Sequence, residues 1–489
     1  MTHRFTRRAA LAGLLGGLAA PALATAPLTS ARPIARPGTR PPPAAAEIVA
    51  RANLGGLTSF HAARADGTPL EDMWGDRAMP PASVAKAITA LYALDALGPS
   101  YRFATVLMGT GPIVEGVLQG DLILKGTGDP IFDSDALGTL AGTLRDAGVT
   151  AITGGFFVDD RGLPTVLQVD PGQPTQAGYN PAISGLNLNY NRVHFQWKKD
   201  GSDYELTMDA RAGRFVPEVR MARMRAVADA YPVYTHELGE EAEEWTVARR
   251  ALGNGGARWL PVRRPAVYAG DVFRTIAEFM GITLPEAQPE TQPLRGTVLA
   301  SHTSPNLKGL CGGMLKYSTN LTAEVLGLRA SQALGAAPGG LAASAARMND
   351  WAAARYGTPM GLVDHSGLGD ASRVSCRALT GMLGQADGLA PILKSINVKN
   401  SRGETVPAPA YGIKAKTGTL NFVSALAGYV LAPGREPITF AIVSADLERR
   451  AAIPPQDRDR PQGSRSYARR ARLMQQGLVA RWASLAAEA

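Results

Sequence analysis

The sequence predicts an α/β fold that is assembled from both ends of the chain. Three observations carry this prediction: an early hairpin followed by an apolar helix, a late hairpin of two apolar strands, and a helical C-terminus. A long middle region of short, strand-like segments separates the two ends. Because the 489 residues exceed one typical domain, we expect this middle region to form additional domains.

The elements of the two ends follow from local patterns. Residues 57–75 alternate around Asp66-Gly67, which is a strong hairpin turn signal. The apolar stretch that begins near Ser83 predicts a helix. Residues 422–433 and 438–446 predict the second hairpin. Residues 464–489 predict the terminal helix, with an apolar stripe formed by Tyr467, Leu473, Met474, Leu478 and Trp482.

The middle region has the pattern of inserted material. Residues 120–130, GDLILKGTGDP, predict a strand and a glycine-rich turn, but they lack the Gly-Lys-Ser/Thr of a phosphate loop. Short strand-like segments alternate with turns over residues 154–260. Residues 266–282 predict a helix whose apolar face consists of Phe273, Ile276, Phe279 and Met280.

The N-terminal 26 residues have the three parts of a secretory signal: a basic start, an apolar run and small residues at the end. The pair Arg7-Arg8 suggests the twin-arginine variety. An uncleaved membrane anchor is the alternative, but the apolar run is shorter than the ~20 residues that a spanning helix needs. We therefore expect a cleaved signal over residues 1–26, a periplasmic protein, and a flexible Pro/Arg/Ala-rich tether over residues 27–46.

The charge is concentrated outside the predicted folded part. The net charge is +9, and residues 1–46 contain six arginines and no acid, so the remaining chain carries +3. A nearly neutral folded part does not indicate nucleic acid binding. The arginines of the terminal helix are typical of a solvated helix face, so we expect at most peripheral membrane contact; they are Arg465, Arg469, Arg470 and Arg472.

Metal and disulfide chemistry receive little support. The six histidines show neither HxxxH nor HxH spacing, which argues against a zinc hydrolase, and we expect no metal or cofactor. Cys311 and Cys376 are compatible with a disulfide in an oxidising compartment or with two buried free thiols, and the sequence leaves both open.

Three short motifs carry the candidate chemistry. Ser83 precedes Lys86 by three residues at a predicted helix start, a spacing that alone occurs by chance. Residues 318–320, Ser-Thr-Asn, open another apolar helix, and residues 416–418, Lys-Thr-Gly, lead into the late hairpin. In this order, the three motifs match the set used by serine enzymes that react with penicillin.

With these motifs, the chain resembles the low-molecular-mass penicillin-binding proteins of the three-domain D-alanyl-D-alanine carboxypeptidase/endopeptidase family. The resemblance runs from about Leu54 to the late hairpin and includes the blocks GDLILKGTGDP, NPAISGLNLNYNRV, HTSPNL and DHSGLGDASRVS. It also explains the 235 residues between the first two motifs, because this family inserts two nested domains there.

The resemblance implies a β-lactamase/transpeptidase-like domain, in which an antiparallel sheet has helices on both sides, with two nested, strand-rich inserted domains. The peptidase domain is then expected over residues 47–99 and 297–489. Inserted domain II is expected over residues 100–160 and 261–296, and nested domain III over residues 161–260.

Elementary chemistry supports the role of the first motif. Residues at i and i+3 share a helix face, so the Lys86 amine can reach the Ser83 hydroxyl. Serine needs an adjacent base, and lysine serves as one only when it is neutral. We expect burial and the nearby cation of Lys416 to lower the pKa of Lys86. Ser318 would bridge the two lysines, and Asn320 would hold the substrate backbone.

The family pattern implies the remaining roles. The backbone N–H groups of Ser83 and Thr419 would form the oxyanion hole, and the substrate would be bound by Asn320, Lys416, Thr417, Gly418 and Thr419. The chain departs from the usual pattern at Thr319, where Asp is common, and at His365, where a small residue is common. We interpret Asp364 and Ser366 as part of a turn that braces the site.

The predicted function is that of a penicillin-sensitive serine D-alanyl-D-alanine carboxypeptidase/endopeptidase that acts on peptidoglycan stem peptides, with β-lactams as inhibitors. Two alternatives remain: a β-lactamase of the same fold, and a cell-wall-binding module without turnover. The large insert and the lack of a recognisable deacylating Glu helix favour the peptidase over the β-lactamase. The complete motifs oppose the inactive module.

Overall fold

The computed structural model describes residues 43–228, 231–290, 295–337, 339–400 and 402–488. The predicted signal and all but the last four residues of the predicted tether lie outside these ranges. The first helix begins at Ala45, so the last two residues assigned to the tether, Ala45 and Ala46, are helical. None of the helices formed by the described residues is long and apolar enough to cross a membrane.

Ten α-helices are formed by the described residues. They are α1 Ala45–Ala52, α2 Ala85–Leu97, α3 Ser134–Asp146, α4 Pro265–Phe279, α5 Leu307–Tyr317, α6 Asn320–Ala333, α7 Leu341–Tyr356, α8 Cys376–Gln385, α9 Leu447–Ala451 and α10 Ser464–Glu488.

The strands of the chain's two ends are β1 Leu57–Ala63, β2 Pro69–Met73, β17 Lys394–Ser395, β18 Gly412–Leu420, β19 Val423–Leu431 and β20 Ile438–Ala445. The strands between them are β3 Ala104–Gly109, β4 Ile113–Val114, β5 Val117–Leu118, β6 Leu122–Gly126, β7 Ala151–Ile152, β8 Phe156–Asp159, β9 Arg192–Asp200, β10 Asp203–Asp209, β11 Ala222–Val227, β12 Tyr234–Leu238, β13 Glu243–Ala248, β14 Gly255–Pro261, β15 Ala287–Pro289 and β16 Thr297–Thr303.

A six-stranded antiparallel sheet joins the two ends of the described chain. Its order is β17-β18-β19-β20-β1-β2, and the join lies between β1 and β20, where Leu57 pairs with Ala445 and Ala63 with Thr439. Both predicted hairpins are present, as β1–β2 and β19–β20. The predicted assembly from both ends is therefore confirmed.

Helices cover both faces of this sheet because its strands are apolar on both sides. In β19, Ala425 and Ala427 pack into the core that contains helices α2 and α5–α8, whereas Leu426 and Val430 pack against α10. This two-residue alternation is what a strand buried on both faces requires. The predicted stripe of α10 is buried except for Leu473, which is 40% exposed.

The inserted region has its own sheets and its own core. A five-stranded sheet has the order β15-β8-β6-β3-β16, and three-stranded sheets have the orders β10-β9-β14, β11-β13-β12 and β4-β5-β7. Strand β16 pairs antiparallel with β3, so the insert's sheet extends to Thr303, past the boundary predicted at residue 297. The boundary estimate missed β16 because its partner β3 lies almost 200 residues earlier in the chain.

Helix α4 differs from its predicted pattern at one position. Phe273 and Ile276 are buried in the insert's core, as expected, but Phe279 is 84% exposed. Phe279 is the last residue of α4, and helical periodicity alone does not tell where the packing partners of a helix end.

Candidate active site

Ser83 lies in a single turn of 3-10 helix, Ala82–Val84, that leads directly into α2. The residue before it, Ala82, has a φ of 47°, a left-handed conformation that is uncommon for a residue with a side chain. Ser83 is partly exposed, whereas its neighbours Ala82 and Val84 are buried. The start of the helix thus presents the Ser83 hydroxyl to the cleft.

Lys86 is fully buried one turn further along α2. Its Nζ donates to Ser83 Oγ at 3.0 Å, to Asn320 Oδ1 at 2.7 Å and to the Ser366 carbonyl oxygen at 2.8 Å. Three acceptors match the three donors of a lysine ammonium. The amine is therefore fixed against the Ser83 hydroxyl.

Burial lowers the pKa of Lys86 to about 8, although the carboxyl groups of Glu324 and Asp364 act to raise it. The pKa of Lys86 is lowered as predicted, and burial is the cause. The predicted contribution of the Lys416 cation is not among the causes. Repulsion between the two lysines instead acts on Lys416, whose pKa is lowered to about 6 by burial, then by Lys86, then by Lys394.

Ser318 ends helix α5 in the left-handed conformation, with φ 61° and ψ 38°. This backbone reversal turns its side chain toward β18, where Lys416 Nζ donates to Ser318 Oγ at 2.9 Å and to the Thr417 carbonyl oxygen at 2.7 Å. Ser318 was expected to bridge both lysines. In the structure Asn320, rather than Ser318, accepts the hydrogen bond from Lys86.

Asn320 is the first residue of α6 and links two parts of the molecule. Its Oδ1 accepts from Lys86, and its Nδ2 donates to the Tyr179 carbonyl oxygen at 2.8 Å. Tyr179 belongs to the inserted region. The orientation of the Asn320 amide is therefore set from both sides.

The third motif lies on β18, and the next two residues of this strand, Thr419 and Leu420, line the cleft in front of Ser83. Lys416 and Gly418 are buried, whereas Thr417 and Thr419 are exposed. Strand β17 pairs only with Lys414 and Ala415. β17 does not cover the residues of β18 that follow Ala415. Their edge of the sheet faces the cleft, where another extended chain can pair with β18.

Gly418 allows β18 to approach the Ser83 turn closely. A Cβ at this position would lie 2.8 Å from the Pro81 carbonyl oxygen and 3.0 Å from Ala82 Cβ. A side chain would therefore force the strand and the turn apart. The glycine of the motif is explained by this contact.

Two buried acids brace the site, and the role of one of them escaped the sequence analysis. Glu324 on α6 accepts hydrogen bonds from the backbone N–H groups of His365 and Ser366, both at 2.9 Å. Asp364 accepts from the N–H of Gly367 at 2.6 Å and from that of Gly369. They hold the turn whose Ser366 carbonyl accepts from Lys86, so the predicted bracing role of this turn agrees with the contacts.

Glu324 has an environment that opposes its charge. Burial, followed by the nearby Asp364, raises the pKa of Glu324 to about 8. The available sequence signal was an acid within the apolar run LTAEVLGL at the start of α6. Such an acid must find donors when it is buried.

His365 is accommodated by a neighbouring glycine. The ring is fully buried, its Nε2 is 2.8 Å from Ser344 Oγ, and burial lowers its pKa to about 3. A Cβ at Gly327 of α6 would overlap the imidazole. The departure at His365 thus has a local compensation. Thr319, the other departure, donates to Thr322 Oγ1 at 2.9 Å.

The cleft in front of Ser83 has a volume of about 470 Å³ and is lined by residues from two parts of the chain. The part of the chain outside the insert contributes Ser318, Asn320 and Thr419, and the inserted region contributes Asp170 and Tyr179. The cysteines lie elsewhere, as free buried thiols: Cys311 is within 4.0 Å of the Ala90 carbonyl and Cys376 within 3.4 Å of that of Ser59.

An antiparallel sheet with helices on both faces, and a serine–lysine pair at the start of a buried helix, define a serine enzyme of the class that reacts with penicillin. The chain belongs to the D-Ala-D-Ala carboxypeptidase 3 (S13) family, whose model matches residues 46–459. It is accordingly a serine-type hydrolase, and the resemblance seen in the sequence is confirmed.

Relatives and solved structures agree with this assignment. The chain is 28% identical over 426 residues to a D-alanyl-D-alanine carboxypeptidase of Actinomadura sp. (strain R39), covering 80% of this chain and 78% of the relative. Penicillin binding protein 4 (dacB) from Haemophilus influenzae is similar with a TM-score of 0.69 and 22% identity, covering 85% of this chain and 98% of that one. A β-lactam complex of the Haemophilus protein gives a TM-score of 0.66 at 21% identity, with the same coverage.

Proposed function

We propose that this protein hydrolyses peptidoglycan stem peptides as a carboxypeptidase and endopeptidase, through an acyl-enzyme on Ser83. The observation that carries the proposal is the 3.0 Å contact between Ser83 Oγ and the buried Lys86 Nζ, opposite a second pair, Lys416 and Ser318, at 2.9 Å. A nucleophile, a base and a second proton route thus face one cleft.

In the first step, neutral Lys86 takes the proton of the Ser83 hydroxyl, and the oxygen attacks the carbonyl carbon of the penultimate D-alanine. The tetrahedral oxyanion accepts hydrogen bonds from the N–H groups of Ser83 and Thr419. The close approach of Gly418 to the Ser83 turn supports this pairing. Each preorganised donor contributes roughly 3–4 kcal/mol to transition-state stabilisation.

The carbon–nitrogen bond then breaks, and the proton that Lys86 took from Ser83 passes to the leaving amine, relayed by the Ser318 hydroxyl, so that Lys86 is neutral again. This leaves Ser83 as an ester of the remaining peptide. A water molecule next gives a proton to the same base and attacks the ester carbonyl. The bond to Ser83 Oγ breaks, the peptide leaves as a carboxylic acid, and Ser83 regains its proton.

Substrate recognition would fall to Asn320 and the β18 motif. The Asn320 amide is suited to the substrate backbone, while the Lys416 amine and the hydroxyls of Thr417 and Thr419 can donate hydrogen bonds to the carboxylate beside the scissile nitrogen. The negative charge of that carboxylate would in turn raise the pKa of Lys416 and favour its protonated form. Gly418 keeps the backbone close. A terminal D-alanine and the diamino acid of a cross-link both present a carboxylate in that position, so both are expected substrates.

The test is labelling with fluorescent penicillin followed by mass mapping of the labelled peptide. We expect one stable adduct, on Ser83, and no adduct with Ser83→Ala. Ser202→Ala, in the β9–β10 turn, serves as the control and should label normally. A label on another residue would contradict the assignment, and an adduct lost within seconds would favour the β-lactamase.

We further propose export and cleavage of the N-terminal signal, which would give a periplasmic protein. The support is the three-part pattern of residues 1–26. N-terminal sequencing of the exported protein should find a start near Thr25 or Pro27. A mature protein that still begins with Met1 would contradict the cleavage.

A further inference from the structure

A second cleft, of about 530 Å³, lies beyond Thr417, on the side of the six-stranded sheet that packs against α10. Its lining contains five basic side chains and no Asp or Glu among the described residues. The basic side chains are Lys394, Lys399, Arg402, Arg469 and Arg472. We call it the basic cleft.

Most of this charge has no acidic partner. Arg402 pairs with Glu404 at 3.3 Å, but in the described part of the chain no ion pair involves the other four. Arg469 and Arg472 lie three residues apart on α10 and so share a helix face. Unpaired cations around a concavity attract anions more strongly than scattered surface charges do.

The floor of the basic cleft is built from buried polar groups. Gln476 is 9% exposed, accepts from the Lys399 N–H at 3.1 Å and donates to the Asn397 carbonyl at 3.3 Å. Gln475 is 3% exposed and donates to Ser424 Oγ at 3.1 Å. The backbone that carries Lys399 is therefore held in place.

The basic cleft is connected to the reaction through Thr417. In the proposed reaction the oxyanion forms at the Thr419 N–H, and the leaving side extends along β18 from there toward Lys416 and Thr417. Strand β17 occupies the β18 edge at Ala415 and Lys414. A leaving group longer than one amino acid therefore has to turn away from the edge at Thr417, where the basic cleft begins.

We propose that the basic cleft binds the carboxylates of the leaving stem peptide when the substrate is a cross-linked dimer. This inference rests on the proposed function. A released D-alanine carries a single carboxylate, which Lys416 and Thr417 would bind in the proposed reaction. A leaving stem peptide carries further carboxylates at its glutamate and its C-terminus, beyond the reach of β18. The basic cleft thus favours the cross-link over the free pentapeptide.

The test compares two substrates in the double variant Arg469→Ala/Arg472→Ala. The substrates are a cross-linked muropeptide dimer and a monomeric pentapeptide that releases D-alanine. We expect kcat/KM for the dimer to fall about tenfold, a moderate value for the loss of two charge contacts. D-Alanine release and penicillin acylation should stay within about twofold. The control Arg64→Ala/Arg225→Ala removes the same amount of charge from exposed sites elsewhere, and kcat/KM for both substrates should stay at the wild-type value.

A second arm alters the substrate. Amidation of the leaving strand's carboxylates, except the one beside the scissile amide, should make wild-type cleavage of the dimer as slow as cleavage by the double variant. Equal losses on both substrates, or no loss on the dimer, would overturn the inference. The inference would also be overturned if the double variant cleaved the dimer normally but no longer bound a phosphate-rich wall polymer, because the basic cleft would then serve to bind that polymer.

The two proposals fail in different ways. If wild-type protein neither reacts with penicillin nor releases D-alanine, the proposed function is wrong. If it does both and the basic-cleft variant cleaves the dimer normally, only this inference is wrong.

Discussion

At the scale of single residues, the candidate site depends on how burial sets the protonation of Lys86. A buried lysine without acidic neighbours can have a pKa of about 5–6, below neutral pH. Glu324 and Asp364 offset part of that effect, and the result is a pKa of about 8. A base with a pKa close to the working pH is both available and strong enough to take a proton.

This value leads to a prediction for the pH dependence of acylation. Lys86 acts as a base only when it is neutral, and below its pKa of about 8 the neutral fraction falls as pH falls. The penicillin acylation rate of Ser83 should therefore rise about fiftyfold from pH 6 to pH 8 and level off above that, as expected for a single titrating base. Stopped-flow labelling with fluorescent penicillin measures this rate at each pH.

The matched variants are Lys86→Arg and Lys308→Arg. Guanidinium keeps its proton across this range, so Lys86→Arg should be inactive at every pH. Lys308 is exposed on α5, and its variant should follow the wild-type profile. A wild-type rate that does not change with pH would exclude Lys86 as the base.

The sequence was sufficient to identify the residues of the three motifs but not all of their contacts. Ser83 and Lys86 meet because a helix places i and i+3 on one face, which is a local rule. The hydrogen bond from Asn320 to the Tyr179 carbonyl spans 141 positions, and no local rule predicts it. The same holds for Glu324, whose partners lie about 40 residues away.

At the scale of elements, β18 combines a structural and a functional task. Its first half pairs with β17 and so belongs to the interior of the sheet. Its second half is not covered by β17, and its edge faces the cleft. The hairpins and helices of this part were predictable because their hydrophobic patterns are strong and their turns contain Gly. Strand β17, only two residues long, has no pattern that a sequence can reveal.

The contact between β18 and the Ser83 turn gives a prediction. Gly418→Ala places a Cβ 2.8 Å from the Pro81 carbonyl oxygen, so the strand has to move away from the turn. If the Thr419 N–H is part of the oxyanion hole, acylation should fall at least about tenfold, or ~1.4 kcal/mol. The folded state should persist, as circular dichroism would verify.

Gly384→Ala is the appropriate control for this substitution. Gly384 lies on helix α8, where an added Cβ meets nothing within 4 Å. Acylation should be unchanged, and the free energy of unfolding should rise by about 0.5–1 kcal/mol. If Gly418→Ala reacted at the wild-type rate, the backbone of β18 could not be contributing to the oxyanion hole.

At the scale of the whole molecule, the insert enters and leaves the peptidase part at one point. Ala104, the first residue of β3, pairs with Thr303, the last residue of β16. Just outside this pair, the Ser304 N–H donates to the Phe103 carbonyl oxygen at 3.0 Å. An insertion with adjacent ends leaves the host fold continuous.

The insert also has a core of its own, which gives the last prediction. Its core extends from Leu107 to Ala300 and is separate from the two cores of the peptidase part. Among the described residues of the insert, Leu163, Val169 and Ile183 are the ones buried in a peptidase core, and Ile131 and Val166 pack against it while partly exposed. A fragment of residues 104–303 should therefore fold alone, and because one core runs through it, it should unfold in urea in one cooperative transition.

A shorter fragment of residues 104–261 tests whether the insert's own core is the reason for its independent folding. It lacks β15, β16 and helix α4, which contributes Tyr268, Val272, Phe273 and Ile276 to the insert's core. Each large side chain removed from a core costs about 2–5 kcal/mol, so losing four costs about as much as the total stability of most domains, which is roughly 5–15 kcal/mol. The shorter fragment should show no cooperative transition. If the longer fragment were equally unfolded, the insert would depend on the peptidase part for its stability, and Leu163, Val169 and Ile183 would be the contacts that supply it.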